Sequence, residues 1–189
     1  MASKGSGSPP LVVIDANLLY PFHLRNLLVQ LGVDAVIAPR WTARIHAEWI
    51  SNLVASGRAP EGRLMLTLDL MNGALPEADV QGWEARMDAL TLPDPDDRHV
   101  LAAALVSGTG TILTLNLRDF PALALAPHGV VASHPDEFLC GLHNADPDLL
   151  RASTEAAQAN LSRSTPSLAA YLDVLDRQGL PQFTRRLRR

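Results

Sequence analysis

Leu11-Val12-Val13-Ile14-Asp15-Ala16-Asn17 is a short, largely β-branched apolar run stopped by a carboxylate. It reads as a buried strand over Leu11 to Ala16. The pattern returns at Thr111-Ile112-Leu113-Thr114-Leu115, which is followed by Asn116 and Asp119. Between the two lies Asp94-Pro95-Asp96-Asp97, which opens an alanine-rich helical stretch. In a parallel sheet, ligands bind beyond the carboxyl ends of the strands. Carboxylates at several such ends repel one another unless a cation joins them. The placement therefore points to a hard-metal site and metal-dependent phosphate chemistry.

The rest of the chain supplies the frame. Tyr20 to Leu31 has a leucine stripe and reads as a helix, with Gly32 past its end. Asp34 to Pro39 carries Ala35-Val36-Ile37-Ala38, an expected second strand. Helices are expected over Thr42 to Ala55, Pro60 to Asn72, Asp97 to Val106 and Pro135 to Leu142. A short strand is expected near Val80, and an edge strand at Val130-Val131-Ala132. Alternating strands and helices imply a three-layer α/β domain with a mainly parallel central sheet. Pro147 to Arg163 and Pro166 to Gln178 read as two further amphipathic helices, followed by the basic tail Thr184 to Arg189. The expected organisation is a flexible leader over 1–10, an α/β domain over 11–143 and a helical extension over 144–189.

Bulk properties narrow the class. The chain has 189 residues, 47% hydrophobic and 19% charged, enough for one domain with a sizeable core. Its net charge of -4 does not advertise a nucleic-acid binder, although an acid cluster can mask a local basic surface. A single cysteine, Cys140, excludes an intrachain disulfide and any zinc site with two thiolates. No apolar stretch is long enough to span a bilayer. The Gly/Ser/Pro-rich start lacks the hydrophobic region of a signal peptide, so a cytoplasmic protein is expected.

Each candidate residue has a structural alternative. Asp15 and Asn17 could form an Asx-turn or a helix cap. Glu48 could simply pair with Arg44 one helical turn away, an interaction of about 0.3–0.5 kcal/mol. Asp97 shares a helical face with Val100 and Leu101, three and four residues on, where an acid needs a partner or a cation. Asp94 or Asp96 could cap that helix and leave Asp97 free. His99 lies one residue off that face, as a surface or supporting histidine. Asn116 could order a strand-to-loop turn, and Asp119 could cap a short helix. What these alternatives leave unexplained is three distant segments placing acids where a parallel sheet opens its crevice.

Val13-Ile14-Asp15-Ala16-Asn17, Glu48, Asp94 to Ala103 and Thr114-Leu115-Asn116-Leu117-Arg118-Asp119-Phe120 together resemble a PIN domain, most closely bacterial PIN proteins related to VapC toxins. The resemblance covers roughly Leu11 to Leu142. It implies a metal-dependent ribonuclease with a quartet of acids, matched by Asp15, Glu48, Asp97 and Asp119. Asn116 matches a polar position beside the last acid and Asn17 a variable position beside the first; Thr114 supports them. Mg²⁺ or Mn²⁺ would be held by Asp15, Asp97 and Asp119, with Glu48 completing the cluster. The implied partners are an RNA substrate, a cognate antitoxin and a second copy of the chain, with no membrane. Arg40, Arg98, Arg118 or the arginine tail would contact the RNA backbone.

Two other readings stand beside this one. A haloacid-dehalogenase-type phosphatase would use Asp15 as nucleophile, but that chemistry wants a carboxylate two residues on, where this chain has Asn17. A PIN fold could also hold RNA or a protein without cutting.

Overall fold

The computed structural model describes residues 8–161 and 167–189. Most of the expected leader, and the residues Arg163 and Pro166 used above as helix bounds, lie outside the described residues. Strand β1 (Leu11–Ile14) is followed by α1 (Ala16–Leu19) and α2 (Phe22–Val33). Then come β2 (Ala38–Arg40), α3 (Ala43–Ala55) and α4 (Glu61–Ala74). After a stretch of short 3₁₀ turns, α5 (Arg98–Ser107) leads into β3 (Thr111–Leu113), α6 (Ala122–Leu125) and β4 (Val131–Ser133). Helices α7 (Pro135–Ala145), α8 (Pro147–Ala159), α9 (Leu168–Arg177) and α10 (Pro181–Leu187) complete the chain.

The four strands form one parallel sheet in the order β2-β1-β3-β4. Helices pack around it to give the three-layer α/β arrangement, with the C-terminal helices added. Val12, Val13, Ile14, Ile112 and Leu113 are fully buried, as near-continuous apolar strands covered on both faces must be. Because β1 and β3 are adjacent and parallel, their carboxyl ends deliver Asp15 and Thr114 side by side.

Three boundaries differ from the sequence expectation. The helix expected from Tyr20 is divided at Pro21, whose backbone is extended and which carries no N–H to continue the helix. The expected strand at Ala35 to Ala38 begins only at Ala38. Ala35 turns with φ 54, and the amides of Val36 and Ile37 both bond back to the Leu31 carbonyl, closing α2. Near Val80 a single parallel bridge, Trp41 to Asp79, replaces the expected strand. Gly82, at φ +74, turns the chain away before a ladder can extend.

The arginine tail is neither frayed nor loose. Thr184 and Leu187 are buried within α10. Arg188 pairs with Asp173 at 2.7 Å and Asp176 at 3.4 Å, and Arg186 bonds Asn144.

Candidate active site

Asp15 sits where β1 gives way to α1, and it is buried. Its Oδ2 accepts from Thr114 Oγ1 at 2.6 Å and from Asn17 Nδ2 at 2.6 Å. The same Asn17 amide reaches Thr114 Oγ1 at 2.9 Å, and its Oδ1 accepts from the Leu115 amide at 3.2 Å. Thr114 Oγ1 also accepts from the Asn116 amide at 3.0 Å. These bonds lock the ends of β1 and β3 into one polar unit and fix the carboxylate of Asp15. Burial pushes that carboxyl above the usual range, against hydrogen bonds from Thr114 and the Ala16 amide. Glu48 adds to the rise through its charge, and His99 opposes it.

Asp97 ends a 3₁₀ turn, Pro95–Asp97, at the mouth of α5. The three acids of this run divide their work. Asp94 Oδ1 accepts from the Asp96 amide at 2.8 Å and so caps the turn. Asp96 is exposed and faces Arg44 at 3.4 Å. Asp97 alone of the three lines the acid cleft. Its carboxyl is pushed up to about 6, first by burial and then by the charges of Asp15, Asp94 and Asp119, with His99 opposing. Asp15 and Asp97, from separate segments, line the same cleft.

Glu48, on α3, completes that lining. Its Oε1 lies 3.4 Å from Arg44 Nε, so the expected turn-to-turn pair exists. The same oxygen also lies 2.9 Å from His99 Nε2. His99 is fully buried, edge-on to Trp83, and its two ring nitrogens lack well-aligned hydrogen-bond partners. Of the two expected places for His99, surface or supporting, it takes the second: it is buried beside Trp83 and stands against Glu48. Asp119 stands beyond the cleft lining, where Asn116 Nδ2 donates to its Oδ2 and Arg118 Nε lies 3.7 Å from its Oδ1.

The cleft has a volume of about 330 Å³ and includes Asp15, Asn17, Glu48, Asp97 and Asn116. Tyr20 and Asn52 line it as well and were not foreseen. Asn52 lies four residues after Glu48 on α3, so the helical period could have found it. Tyr20 had no such signal. Arg40 and Arg98 turn to the carbonyls of Pro39 and Pro95, both at 2.8 Å, and Arg118 is largely solvent-exposed. None of these three arginines lines the acid cleft.

The donor set is chemically that of a hard divalent cation: carboxylate and amide oxygens, with no thiol. Among the described residues, no three His, Cys, Asp or Glu side chains already stand at the spacing of a closed metal shell. The fit therefore rests on the acids' shared cleft and on the raised Asp97 carboxyl, which a cation would bring back down.

Comparison with known proteins adds to this geometry. Residues 135–189 match the family model of the VapC50 C-terminal domain. Over 99 residues the chain is 38% identical to a Mycobacterium tuberculosis (strain ATCC 25618 / H37Rv) protein named "Putative ribonuclease VapC50". The chain is similar to that protein over this region. The aligned region covers 49% of this chain and 54% of that relative, so it spans about half the length of the curated protein it matches. No solved structure matches the chain. The family-model match opens at Pro135, the first residue of α7, so α7 to α10 all fall within it.

Proposed function

We propose that the chain is a metal-dependent endoribonuclease that hydrolyses RNA phosphodiester bonds, acting in the cytoplasm as the toxin of a type II toxin–antitoxin pair. The observation that carries this reading is the convergence of Asp15, Glu48 and Asp97 on one cleft at the carboxyl ends of a parallel sheet, with Asp119 close enough to raise the Asp97 carboxyl. The VapC50 likeness supports the same activity. No helix among the described residues is long and apolar enough to cross a membrane.

Asp15, Asp97 and Asp119 would hold Mg²⁺ or Mn²⁺, with Glu48 beside them. When bound, the ion supplies charge neutralisation and Lewis-acid polarisation at the phosphoryl group. The chain's own groups do the positioning. Asn17 and Thr114 fix the Asp15 carboxylate, and Asn116 fixes that of Asp119. Glu48, at the cleft wall, is placed to orient a water for in-line attack. An antitoxin and a second copy of the chain are the proposed protein partners. The nuclease unit is assigned to 11–143 and the extension to 144–189.

The test is cleavage of a mixed structured and single-stranded RNA pool by purified protein with Mg²⁺, Mn²⁺ or EDTA, beside Asp97→Asn. Cuts that need metal and vanish in the variant are expected. Binding of RNA without cleavage at any metal concentration would replace the nuclease by a non-catalytic binding module.

A further inference from the structure

A second cavity, of about 750 Å³, opens beside the acid cleft, and Tyr20 lines both. Its character is opposite. Four arginines face it, Arg25, Arg58, Arg63 and Arg177, and no acid is among its lining residues. Arg58, Arg63 and Arg177 are exposed and, among the described residues, have no carboxylate at ion-pair distance. Arg44, Arg118 and Arg188, by contrast, all face acids.

Arg25 is the least expected of the four. It is buried, its guanidinium stacks 4.5 Å over the Trp49 ring, and it donates to the Leu19 carbonyl. Burial lowers its pKa to about 10, which still leaves it charged at neutrality. A buried cation with no carboxylate partner among the described residues, sharing one cavity lining with three more cations, favours an anion there. The aromatic wall adds a second recognition element. Tyr20 carries the Arg58 guanidinium 5.3 Å above its ring, and Phe22 is half exposed beside it.

We propose that this cavity is a nucleotide subsite for single-stranded RNA. It takes backbone phosphates next to the cleaved bond on Arg58, Arg63 and Arg177, and an unpaired base against Tyr20 and Phe22. This rests on the nuclease reading above and names the form of its substrate. Unpaired bases stack on aromatic rings, whereas paired bases are closed to them. Arg177 stands at the end of α9, and Gln178 and Gly179 follow it on the same wall. The C-terminal extension therefore completes a site that the α/β domain only begins.

The experiment is fluorescence anisotropy of a labelled short oligouridylate with the full chain in EDTA, across a range of salt. Metal removal silences cleavage, so binding is read by itself. Arg58→Ala/Arg177→Ala is expected to weaken binding about tenfold. It should also flatten the slope of log K against log salt by roughly 1.4, the loss of two single-strand phosphate contacts. Tyr20→Ala is expected to lose about fivefold or more, while Tyr20→Phe retains the affinity. Because binding is read in EDTA, a failed nuclease reading leaves this binding result standing. Unchanged affinity and slope in the arginine variant would overturn the subsite, as would no oligouridylate binding by the parent at low salt. Loss of labelled polyglutamate binding with RNA binding intact would also overturn it and make the cavity a protein-docking site.

Discussion

Asp97 is held above the ordinary carboxylate range in the acid cleft, and its consequence for stability has a definite sign. Its folded pKa of about 6 lies above the ordinary 3.8, first through burial and then through neighbouring carboxylates. The fold therefore prefers the protonated acid. Below about pH 3.8 the residue imposes no penalty; as pH rises through about 6 the penalty grows, and above that it is complete. Asn cannot ionise. In EDTA, Asp97→Asn should be more stable than the parent by on the order of 1 kcal/mol above pH 6, allowing for solvent screening of a half-buried group, and equal to it near pH 4. Urea unfolding at three pH values checks this. A stability difference that does not change with pH would show that Asp97 is not held among like charges.

At the scale of elements, one buried carboxylate ties the two ends of the chain's helical half together. Asp136, in the first turn of α7, is almost fully buried. Its Oδ1 accepts from the Phe183 amide at 2.8 Å and the Gln182 amide at 3.1 Å, two of the orphan donors at the start of α10. Asp136→Ala leaves those buried amides without an acceptor and should cost about 1–3 kcal/mol. Hydrogen exchange should show α10 opening before the sheet; uniform protection across α10 and β1 would refute the local role. The role of this acid was not legible in the sequence, because its partner lies 46 residues away. The same limit separates what the sequence disclosed from what it hid. Asp15, Glu48, Asp97 and Thr114 stand at strand ends or on helical faces, where local period and topology govern direction. Arg58, Arg63 and Arg177 come from the turn after α3, from α4 and from α9, and look like ordinary surface charge until tertiary packing faces them toward one cavity. Val36 and Ile37 show the converse error: β-branched propensity was read as strand where those residues close a helix end.

At the scale of the whole molecule, the question is whether the α/β region stands without its helical extension. Leu150, Tyr171, Leu172, Leu175, Leu180, Phe183 and Leu187 belong to the same continuous core as Leu24, Leu27, Leu28 and Leu31 of α2. Polar groups bridge the same seam. Gln178 Oε1 accepts from the Leu24 amide at 3.0 Å, serving an orphan donor in the first turn of α2, and Asn26 Nδ2 donates to the Ala157 carbonyl at 2.7 Å. Each large apolar side chain removed takes about 1.5–3 kcal/mol of burial with it. Seven of them amount to on the order of 10 kcal/mol, comparable to the entire stability of an ordinary domain. A chain ended after Ala145 should therefore lose its near-ultraviolet circular dichroism and aggregate on gel filtration, as the leucine stripe of α2 becomes exposed. Recovery of a folded, monodisperse truncation would show that the α/β region stabilises itself and that the extension serves the basic cavity alone. The seam and the cavity are built from neighbouring residues of α9 and the turn after it, Leu175 and Leu180 inward, Arg177 and Gly179 toward the opening. Packing and the proposed substrate contact would thus be joined in one element, and truncation should abolish RNA binding and folding together, whereas Arg177→Ala should touch only the first.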